Sequence, residues 1–471
     1  MSILSQFSVL DLIILLGYIV AFIAIGFIAS KRVRTSKDFT SAGQKLSWFT
    51  VAGSTIATCM GANMVIGKYD LIYESGLSGL TASLFWWVGW LFLLIMAKPL
   101  RDSGATSIPT FLEKRYNPTV RKIASYCVLI TMLSSCAAQF LTIGTILETL
   151  GICNRTVGTW IGAGVIILFT VYSGMWGVAL TDTIQSLVLL VSFGLVFPAL
   201  VYKTAGGLDT VIASTPPERL NMFAGIAPIS MIGWAVSYAL STGSDASYAQ
   251  RIFSAKSTKD AVIGQVVAWC ATLLVAGFLS AIPALAIGQI YPDIGAGSQF
   301  TIRFIAEYFP VVLKGFVMAA LLGLMLTSGD TYLLLLASTI TDDIIRPLKP
   351  DLSDKKAVLI TRLSCVFSAG ILCAMALYVG KIYQLFKTGG GAYGAGVFFP
   401  LILGCFWKKA NARAMGIAML VGALFSFCFD MFLKIPMGLN IDGCIIGAAL
   451  CMIIAVLGSL MLNRKDNIIK E

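Results

Sequence analysis

Long apolar runs, interrupted by short polar breaks, follow one another along nearly the whole chain. Residues 12–29 and 452–462, for example, are almost continuously apolar. A helix needs about 20 apolar residues to cross a hydrocarbon core roughly 30 Å thick, whereas a strand of a membrane barrel alternates apolar and polar residues over about ten positions. The pattern therefore predicts an all-α membrane protein with about 13 transmembrane helices. Their expected positions are about 8–30, 48–73, 78–98, 123–150, 157–174, 182–203, 225–250, 262–289, 311–343, 357–380, 388–406, 412–433 and 440–462.

The composition of the chain supports an all-α membrane protein and excludes several functions. Of its 471 residues, 58% are hydrophobic and 12% are charged, against about 25% charged residues in a typical soluble domain. We therefore expect a single polytopic membrane domain, whose partners are the lipid bilayer and a small-molecule solute. The sequence contains no histidine, which excludes histidine bases, metal ligands and proton relays. Transport, channel activity and membrane sensing remain, and an enzyme is not expected.

The net charge of +11 is distributed in a way that predicts the topology of the chain. Most of the Lys and Arg residues fall in alternate loops, beginning with the loop after the first span and ending with the C-terminal tail. Because basic loops stay in the cytoplasm, we expect the N-terminus outside, the C-terminus in the cytoplasm and a bacterial plasma membrane. Nothing in this pattern indicates a nucleic-acid partner or an obligate protein partner.

The second span contains many small and polar residues. Gly53, Gly61 and Gly67 are interspersed with Ser and Thr residues, and Lys68 follows directly. Small residues allow neighbouring helices to approach closely, so packing is one interpretation. The other is a broken helix whose unwound middle offers carbonyl groups to a cation and amide groups to a solute.

The ninth span carries four oxygen-bearing side chains within five residues. These are Thr327, Ser328, Asp330 and Thr331. Oxygen ligands with one carboxylate suit a hard cation, although a single Ser or Thr in a membrane helix often bonds to its own backbone. The cluster therefore predicts a cation site.

Two further aspartates stand within or beside predicted spans. Asp182 begins the sixth span, where it is expected either to cap the helix or, as an ionisable residue within a span, to have a functional role. Asp245 lies in a polar stretch of the seventh span, which predicts a second interrupted helix. Because spans 2 and 7 are five places apart, spans 2–6 and 7–11 are expected to be inverted repeats.

Five segments resemble the motifs of a known family, the sodium:solute symporters, which include sodium-coupled sugar, proline, pantothenate and sialic acid transporters. One departure is Gln44, which stands where the family usually has arginine. The segments are D-F-T-S-A-G-Q-K-L-S-W at 38–48, G-V-A-L-T-D-T-I-Q at 177–185, Q-R-I-F-S-A-K at 250–256, I-T-D-D at 340–343 and G-C-F-W-K-K-A-N-A-R-A at 404–414.

The resemblance implies a leucine-transporter-type fold with a 5+5 inverted repeat and alternating access. An extra N-terminal helix would occupy 8–30, the first repeat 48–203, the second repeat 225–406 and two C-terminal helices 412–462.

The resemblance also implies the positions of cation sites. The main sodium site falls on the carbonyl groups of Ala57, Met60 and Leu324 and on the hydroxyl groups of Thr327 and Ser328. A second cation site falls on Asp182, Thr327, Asp330 and Thr331, where other members have hydroxyl groups in the last two positions.

Solute contacts are implied by the same alignment at Cys59, Asn63, Met64 and Asp245. Trp86, Trp87 and Trp90 lie in the third span, where they are expected either to stack on the solute, with Trp87 the preferred candidate, or to serve packing and interface anchoring. Lys68 is expected either to bind a carboxylate of the solute or to form an ion pair with Asp70 or Glu74, which lie close to it in the chain.

The expected function is sodium-coupled import of a small polar solute that bears a carboxylate, such as an amino acid or an organic acid. A proton-coupled transporter of the same fold and a transport-dead membrane sensor are the alternatives.

Overall fold

A computed structural model describes residues 3–31, 33–61, 63–292, 294, 298–379, 382–433 and 441–468. Over these residues the secondary structure is helical, and a single isolated bridge joins Leu46 to Ala255. The membrane helices are α1 (Val9–Ser30), α2 (Trp48–Cys59), α3 (Lys68–Ser75), α4 (Leu77–Asp102), α5 (Pro118–Leu150), α6 (Arg155–Thr204), α7 (Pro228–Gly243), α8 (Ala246–Ser254), α9 (Thr258–Ile290), α10 (Leu313–Leu348), α11 (Asp354–Val379), α12 (Ile382–Phe406), α13 (Ala412–Leu433) and α14 (Gly443–Ile468). The connecting helices are Ile3–Gln6, Ser36–Ser41, Ala42–Gln44, Ile108–Arg115, Leu208–Ser214, Pro217–Leu220 and Ser298–Tyr308.

The helices account for the predicted spans. Ten of the helices in the described residues are long and apolar enough to cross a bilayer, and α2 with α3 forms a further span bent by 57°. Helix α6 is 50 residues long and covers two predicted spans. Helices α7 and α8 together form the seventh predicted span, so the all-α membrane fold is confirmed.

The predicted end of span 5 at 174 coincides with a kink in the structure, whereas the predicted start of span 6 at 182 is too late. The helix runs on through the predicted break, and its only non-helical residue between Arg155 and Val191 is Gly174, with φ 53° and ψ −165°. A side chain is strained at this φ, and a Cβ atom at Gly174 would lie 2.8 Å from the ring of Phe39. Asp182 therefore lies inside a helix, and its interpretation as an N-cap is contradicted.

The predicted break in the second span is confirmed. Helix α2 begins where the Ser47 side chain accepts a hydrogen bond from the Thr50 amide, and it ends at Cys59. Its last backbone hydrogen bond runs from the Met60 amide to the Ile56 carbonyl. A π-helical segment, Asn63–Gly67, then leads into α3. Helix ends leave carbonyl groups without backbone donors, so this break places free oxygen atoms inside the membrane.

The predicted interruption of the seventh span is also confirmed. Helix α7 ends at Gly243, and α8 begins at Ala246 with Asp245 as its N-cap. Oδ1 of Asp245 accepts hydrogen bonds from the amides of Ser247 at 2.8 Å and Tyr248 at 3.1 Å. Carboxylates are favoured at this end of a helix because the first amides lack partners there.

Helix α10 forms the centre of the bundle. Its most apolar stretch is completely buried, whereas only 17% of the corresponding stretch of α1 is buried. Helices α1, α2, α5, α6 and α11 pack around α10. Polar side chains on α10 are therefore shielded from lipid and face the broken helices.

Candidate functional site

The end of α2 and the polar cluster of α10 meet in the middle of the bundle. The Ser328 hydroxyl donates to the Thr58 carbonyl at 3.4 Å, across the two helices. Gly61 permits this approach, since a Cβ atom there would lie 2.8 Å from Ser328 Oγ. The structure thus brings one predicted sodium-ligand side chain to the turn of α2 that contains Ala57 and Met60.

The other predicted ligands on α10 lie beside Ser328. The Thr327 hydroxyl donates to the Leu324 carbonyl at 3.1 Å, so these two oxygen atoms are adjacent. Both Thr327 and Ser328 have no exposed surface. Taken together, α10 and the broken end of α2 present hydroxyl and carbonyl oxygens, the groups that a hard monovalent cation requires.

Asp182 is held by an arginine that the sequence interpretation did not single out. The Arg251 guanidinium donates through Nη2 to Asp182 Oδ2 at 3.1 Å, and both side chains are fully buried. Ser54 donates to the same carboxylate oxygen at 2.6 Å. The only sequence signal for Arg251 was its place in the motif at 250–256.

Arg251 connects four helices through its remaining hydrogen bonds. Its Nη2 donates to Thr58 Oγ1 at 2.8 Å and to Thr331 Oγ1 at 2.7 Å, and its Nε donates to Ser54 Oγ at 3.0 Å. Its Nη1 donates to the Ser247 carbonyl at 3.1 Å. The guanidinium thus joins α2, α6, α8 and α10, and it occupies the space between two residues of the predicted second cation site, Asp182 and Thr331.

Asp330 is the carboxylate that this network leaves out. Within the described residues neither of its oxygen atoms has a hydrogen-bond donor, although the side chain is fully buried. Oδ1 of Asp182 likewise has no partner there. Burying an uncompensated carboxylate is costly, so Asp330 is a candidate for binding either a cation or a proton.

Two cavities lie beside the broken helices. The larger is lined by Asp245 together with residues of α4, α5, α7, α10 and α12. The smaller has Cys59 and Met64 among its lining residues. Trp86 and Tyr332 belong to the walls of both. Three predicted solute contacts, Cys59, Met64 and Asp245, therefore lie on two neighbouring cavities.

The other predicted solute contacts are placed differently. Trp87 is 1% exposed, and its Nε1 donates to Thr272 Oγ1 at 3.1 Å. It is absent from the described walls of the two cavities, which contain its neighbour Trp86 instead. Asn63 opens the π-helical segment, but its side chain lies outside the described part of the chain.

Lys68 is bound to helix α9. Its Nζ donates to the carbonyl groups of Ala276 and Gly277 and, at 2.9 Å, to Ser280 Oγ. Ala276 and Gly277 belong to the π-helical segment Leu273–Leu279, where the carbonyls depart from the ordinary α-helical pairing. These oxygens, and not a carboxylate, hold the ammonium group in the structure.

Comparison with known proteins identifies the family. The family model described as the sodium:solute symporter family matches residues 39–422, which is most of the chain. The chain belongs to the sodium:solute symporter family. The resemblance seen in the five sequence motifs is confirmed.

Several curated bacterial members of the family match almost the whole chain. The osmoregulated proline transporter OpuE of Bacillus subtilis is 25% identical, with 88% of this chain and 87% of that protein covered. The sodium/glucose cotransporter of Vibrio parahaemolyticus is 26% identical, with 91% and 85% covered. The sodium/proline symporter of Escherichia coli is 25% identical, with 94% and 92% covered.

Solved structures share the fold. A Na+-coupled sialic acid symporter in a substrate-bound outward-open state superposes with a TM-score of 0.82, at 19% identity and with 96% of this chain and 98% of that chain covered. Mhp1 in an inward-facing conformation superposes with a TM-score of 0.51, at 14% identity and with 90% and 93% covered. The fold is thus that of the leucine-transporter type, as the sequence predicted.

Membership in the family establishes the general activity. The protein is a multi-pass transporter of the plasma membrane and not an enzyme, sodium is its coupling ion, and its partner is a small-molecule solute.

Proposed function

We propose that the protein imports a small polar solute together with sodium by alternating access. The observation that carries this proposal is the contact between Ser328 of α10 and the Thr58 carbonyl at the broken end of α2. These helices belong to different proposed repeats, 48–203 and 225–406. A cation bound between them stabilises one arrangement of the repeats over the other, which is the requirement for a ligand to shift a conformational equilibrium.

The main sodium site in this proposal consists of the carbonyl groups of Ala57, Met60 and Leu324 and the hydroxyl groups of Thr327 and Ser328. Support comes from the end of α2 at Cys59, which leaves carbonyl groups without backbone donors. It also comes from the adjacency of Thr327 Oγ1 and the Leu324 carbonyl.

A second cation site centred on Asp330 accompanies the first. The buried carboxylate of Asp330 has no donor among the described residues, and Oδ1 of Asp182 has none either. Thr327 stands one turn before Asp330 on the same helix and belongs to the site. Thr331 is the weakest member, because its hydroxyl already accepts a hydrogen bond from Arg251.

The solute belongs to the amino acids or organic acids. The described walls of the two cavities contain the carboxylate of Asp245 but no Lys or Arg. This supports the amino acids within that class, because an organic acid without an amino group would meet a negative charge and no positive one. Contacts are proposed at Cys59, Asn63, Met64 and Asp245. Lys68 and Trp87 contribute indirectly, by fixing α3 and α4 to α9.

The orientation of the chain is part of the proposal. The N-terminus lies outside and the C-terminus in the cytoplasm of a bacterial inner membrane, since the loops that follow α1 and α4 are rich in Lys and Arg.

A ligand screen on the purified protein tests the proposed function. Amino acids, carboxylates, sugars and vitamins are each added in sodium and in potassium, and thermal unfolding is followed. A ligand that binds only the folded state raises the unfolding temperature, so the expected result is a solute that stabilises in sodium alone. The same solute should enter proteoliposomes only with an inward sodium gradient. Stabilisation that follows pH and ignores sodium would favour proton coupling, and sodium-independent binding without uptake would favour a sensor.

A further inference from the structure

The larger cavity has walls of an unusual composition. Five aromatic rings from four helices surround the space between the broken span and its neighbours. They belong to Trp86, Trp234, Tyr238, Tyr332 and Tyr393. Hydroxyl groups of Thr131, Ser135, Ser237 and Ser241 complete the polar part of the wall. The one charged residue of the described wall is Asp245.

The carboxylate of Asp245 has one oxygen atom, Oδ2, that takes no part in capping the helix. All of its hydrogen bonds in the described residues, from the Ser247 amide, the Ser247 hydroxyl and the Tyr248 amide, end on Oδ1. None of the ion pairs among those residues includes Asp245. Oδ2 is therefore the carboxylate oxygen that remains for a ligand in the cavity.

The positive groups nearest in the fold are already engaged. Arg251 stands on the same short helix as Asp245, but its guanidinium is hydrogen-bonded to Asp182, Ser54, Thr58, Thr331 and the Ser247 carbonyl. Lys68 is bound to α9. Neither belongs to the described wall of the larger cavity.

A wall with five aromatic rings and one carboxylate matches a particular ligand chemistry. The faces of aromatic rings attract cations, and rings grouped around an ammonium ion are a known recognition device. A carboxylate oxygen adds a charge-assisted interaction. A neutral polyol, in contrast, needs directional donors and acceptors, and an anion needs a positive group.

We infer that the larger cavity binds a positively charged nitrogen of the transported solute, held between Asp245 and the surrounding aromatic rings. The inference rests on the proposed function, since it names the class of solute that the symporter carries. Asp245 supplies the counter-charge through Oδ2, and the rings of Trp86, Trp234, Tyr238, Tyr332 and Tyr393 enclose the alkyl groups on the nitrogen.

Two pairs of probes that differ only in this charge test the inference. Choline is compared with 3,3-dimethylbutan-1-ol, and glycine betaine with 3,3-dimethylbutanoate, in which carbon replaces the charged nitrogen. Binding to the full-length protein is measured by thermal shift and calorimetry, in sodium and in potassium. At least one ammonium probe should bind about tenfold or more tightly than its carbon analogue. Glycine betaine carries a carboxylate and choline does not. The difference between their affinities therefore reports the effect of a carboxylate on the solute.

Two sets of variants connect the binding to the cavity. Asp245→Asn removes the charge but keeps an N-cap residue of equal preference, so α8 is expected to fold, and the preference for the ammonium probe should fall about tenfold. Tyr238→Leu should weaken ammonium binding about threefold or more, while Tyr238→Phe retains the ring and the affinity. Asp209→Asn, on the exposed helix Leu208–Ser214, serves as a control for the loss of a carboxylate.

The outcomes separate this inference from the proposed function. Equal binding of the ammonium probes and their carbon analogues, an unchanged preference in Asp245→Asn, or no binding of either ammonium probe would each overturn the inference. A neutral sugar that binds only in sodium would do the same and leave the symport intact. Ammonium binding that is independent of sodium would support the inference and count against the proposed symport.

Discussion

Arg251 and Asp182 form an ion pair of 3.1 Å in the centre of the membrane bundle, where neither side chain has any exposed surface. The pair joins the second proposed repeat to the first. An arginine donates in a fixed planar geometry and stays charged under all ordinary conditions. It therefore keeps the two repeats connected without the need for a bound ion at Asp182.

Removal of one partner of this pair should destabilise the protein strongly. Arg251→Met leaves the Asp182 charge buried without compensation, and breaking a buried pair in this way costs about 3–5 kcal/mol. Asp182→Asn combined with Arg251→Met should cost less than the sum of the two single changes. The measurement is a double-mutant cycle on the apparent free energy of unfolding in detergent.

An exposed pair provides the control for this cycle. Lys98 and Asp102 are 2.9 Å apart, but their side chains are 75% and 45% exposed. Lys98→Met should have a much smaller effect on stability, because solvent screens an exposed pair. Additive effects of Asp182→Asn and Arg251→Met would contradict the proposed coupling.

Loss of either hydroxyl group on α10 should weaken sodium binding. A polar contact to a full charge contributes about 1.5–3 kcal/mol, so Thr327→Ala or Ser328→Ala should raise the sodium concentration for half-maximal uptake about tenfold or more. Thr170→Ala is a matched control, because Thr170 is buried and bonds only to the Ile166 carbonyl of its own helix. Unchanged sodium dependence in both α10 variants would remove the main site from this position.

Asp330→Asn should change the number of cations that accompany the solute. The substitution keeps the shape of the side chain and removes the negative charge that lacks a donor. Uptake should then show a weaker dependence on sodium concentration and fewer charges moved per solute molecule, as measured by reversal potentials in proteoliposomes. Wild-type values of both quantities would assign Asp330 a purely structural role.

Lys68→Met should lower stability and leave the affinity for the solute unchanged. The Gly277 carbonyl and the Ser280 hydroxyl lose the ammonium donor, and the Ala276 carbonyl keeps the Ser280 hydroxyl as a donor; leaving buried polar groups unsatisfied costs about 1–3 kcal/mol. Unfolding temperature and the KM for uptake are measured together. Lys314→Met is the control, since Lys314 is also buried and donates to a carbonyl, that of Gln6. A raised KM at normal stability would instead make Lys68 a solute contact.

The breaks in the two interrupted helices could be predicted because their causes are local. Small and polar residues around Gly61 and at Asp245 favour helix ends wherever they stand in an apolar run. The cluster of oxygen-bearing side chains on α10 could be recognised in the sequence for the same reason, since Thr327 and Asp330 are one turn apart and share a helix face.

The hydrogen-bond partners of Arg251 and Lys68 could not be predicted from the sequence, because they are distant in the chain. Arg251 binds side chains up to 197 residues away, and Lys68 binds carbonyl groups 208 and 209 residues away. Asp70 stands only two residues after Lys68, but residues two apart do not face each other on a helix. Proximity in sequence was therefore a poor guide to the partner of this lysine.

The joint at Gly174 fixes the rotation of Asp182 as well as its depth in the bundle. Eight residues separate the two, which is about 12 Å along the helix axis. Because α6 continues directly after Gly174 with no loop, one residue inserted or deleted between them would turn Asp182 by about 100° around the axis. The carboxylate would then leave Arg251, although every residue that forms the ion pair would still be present.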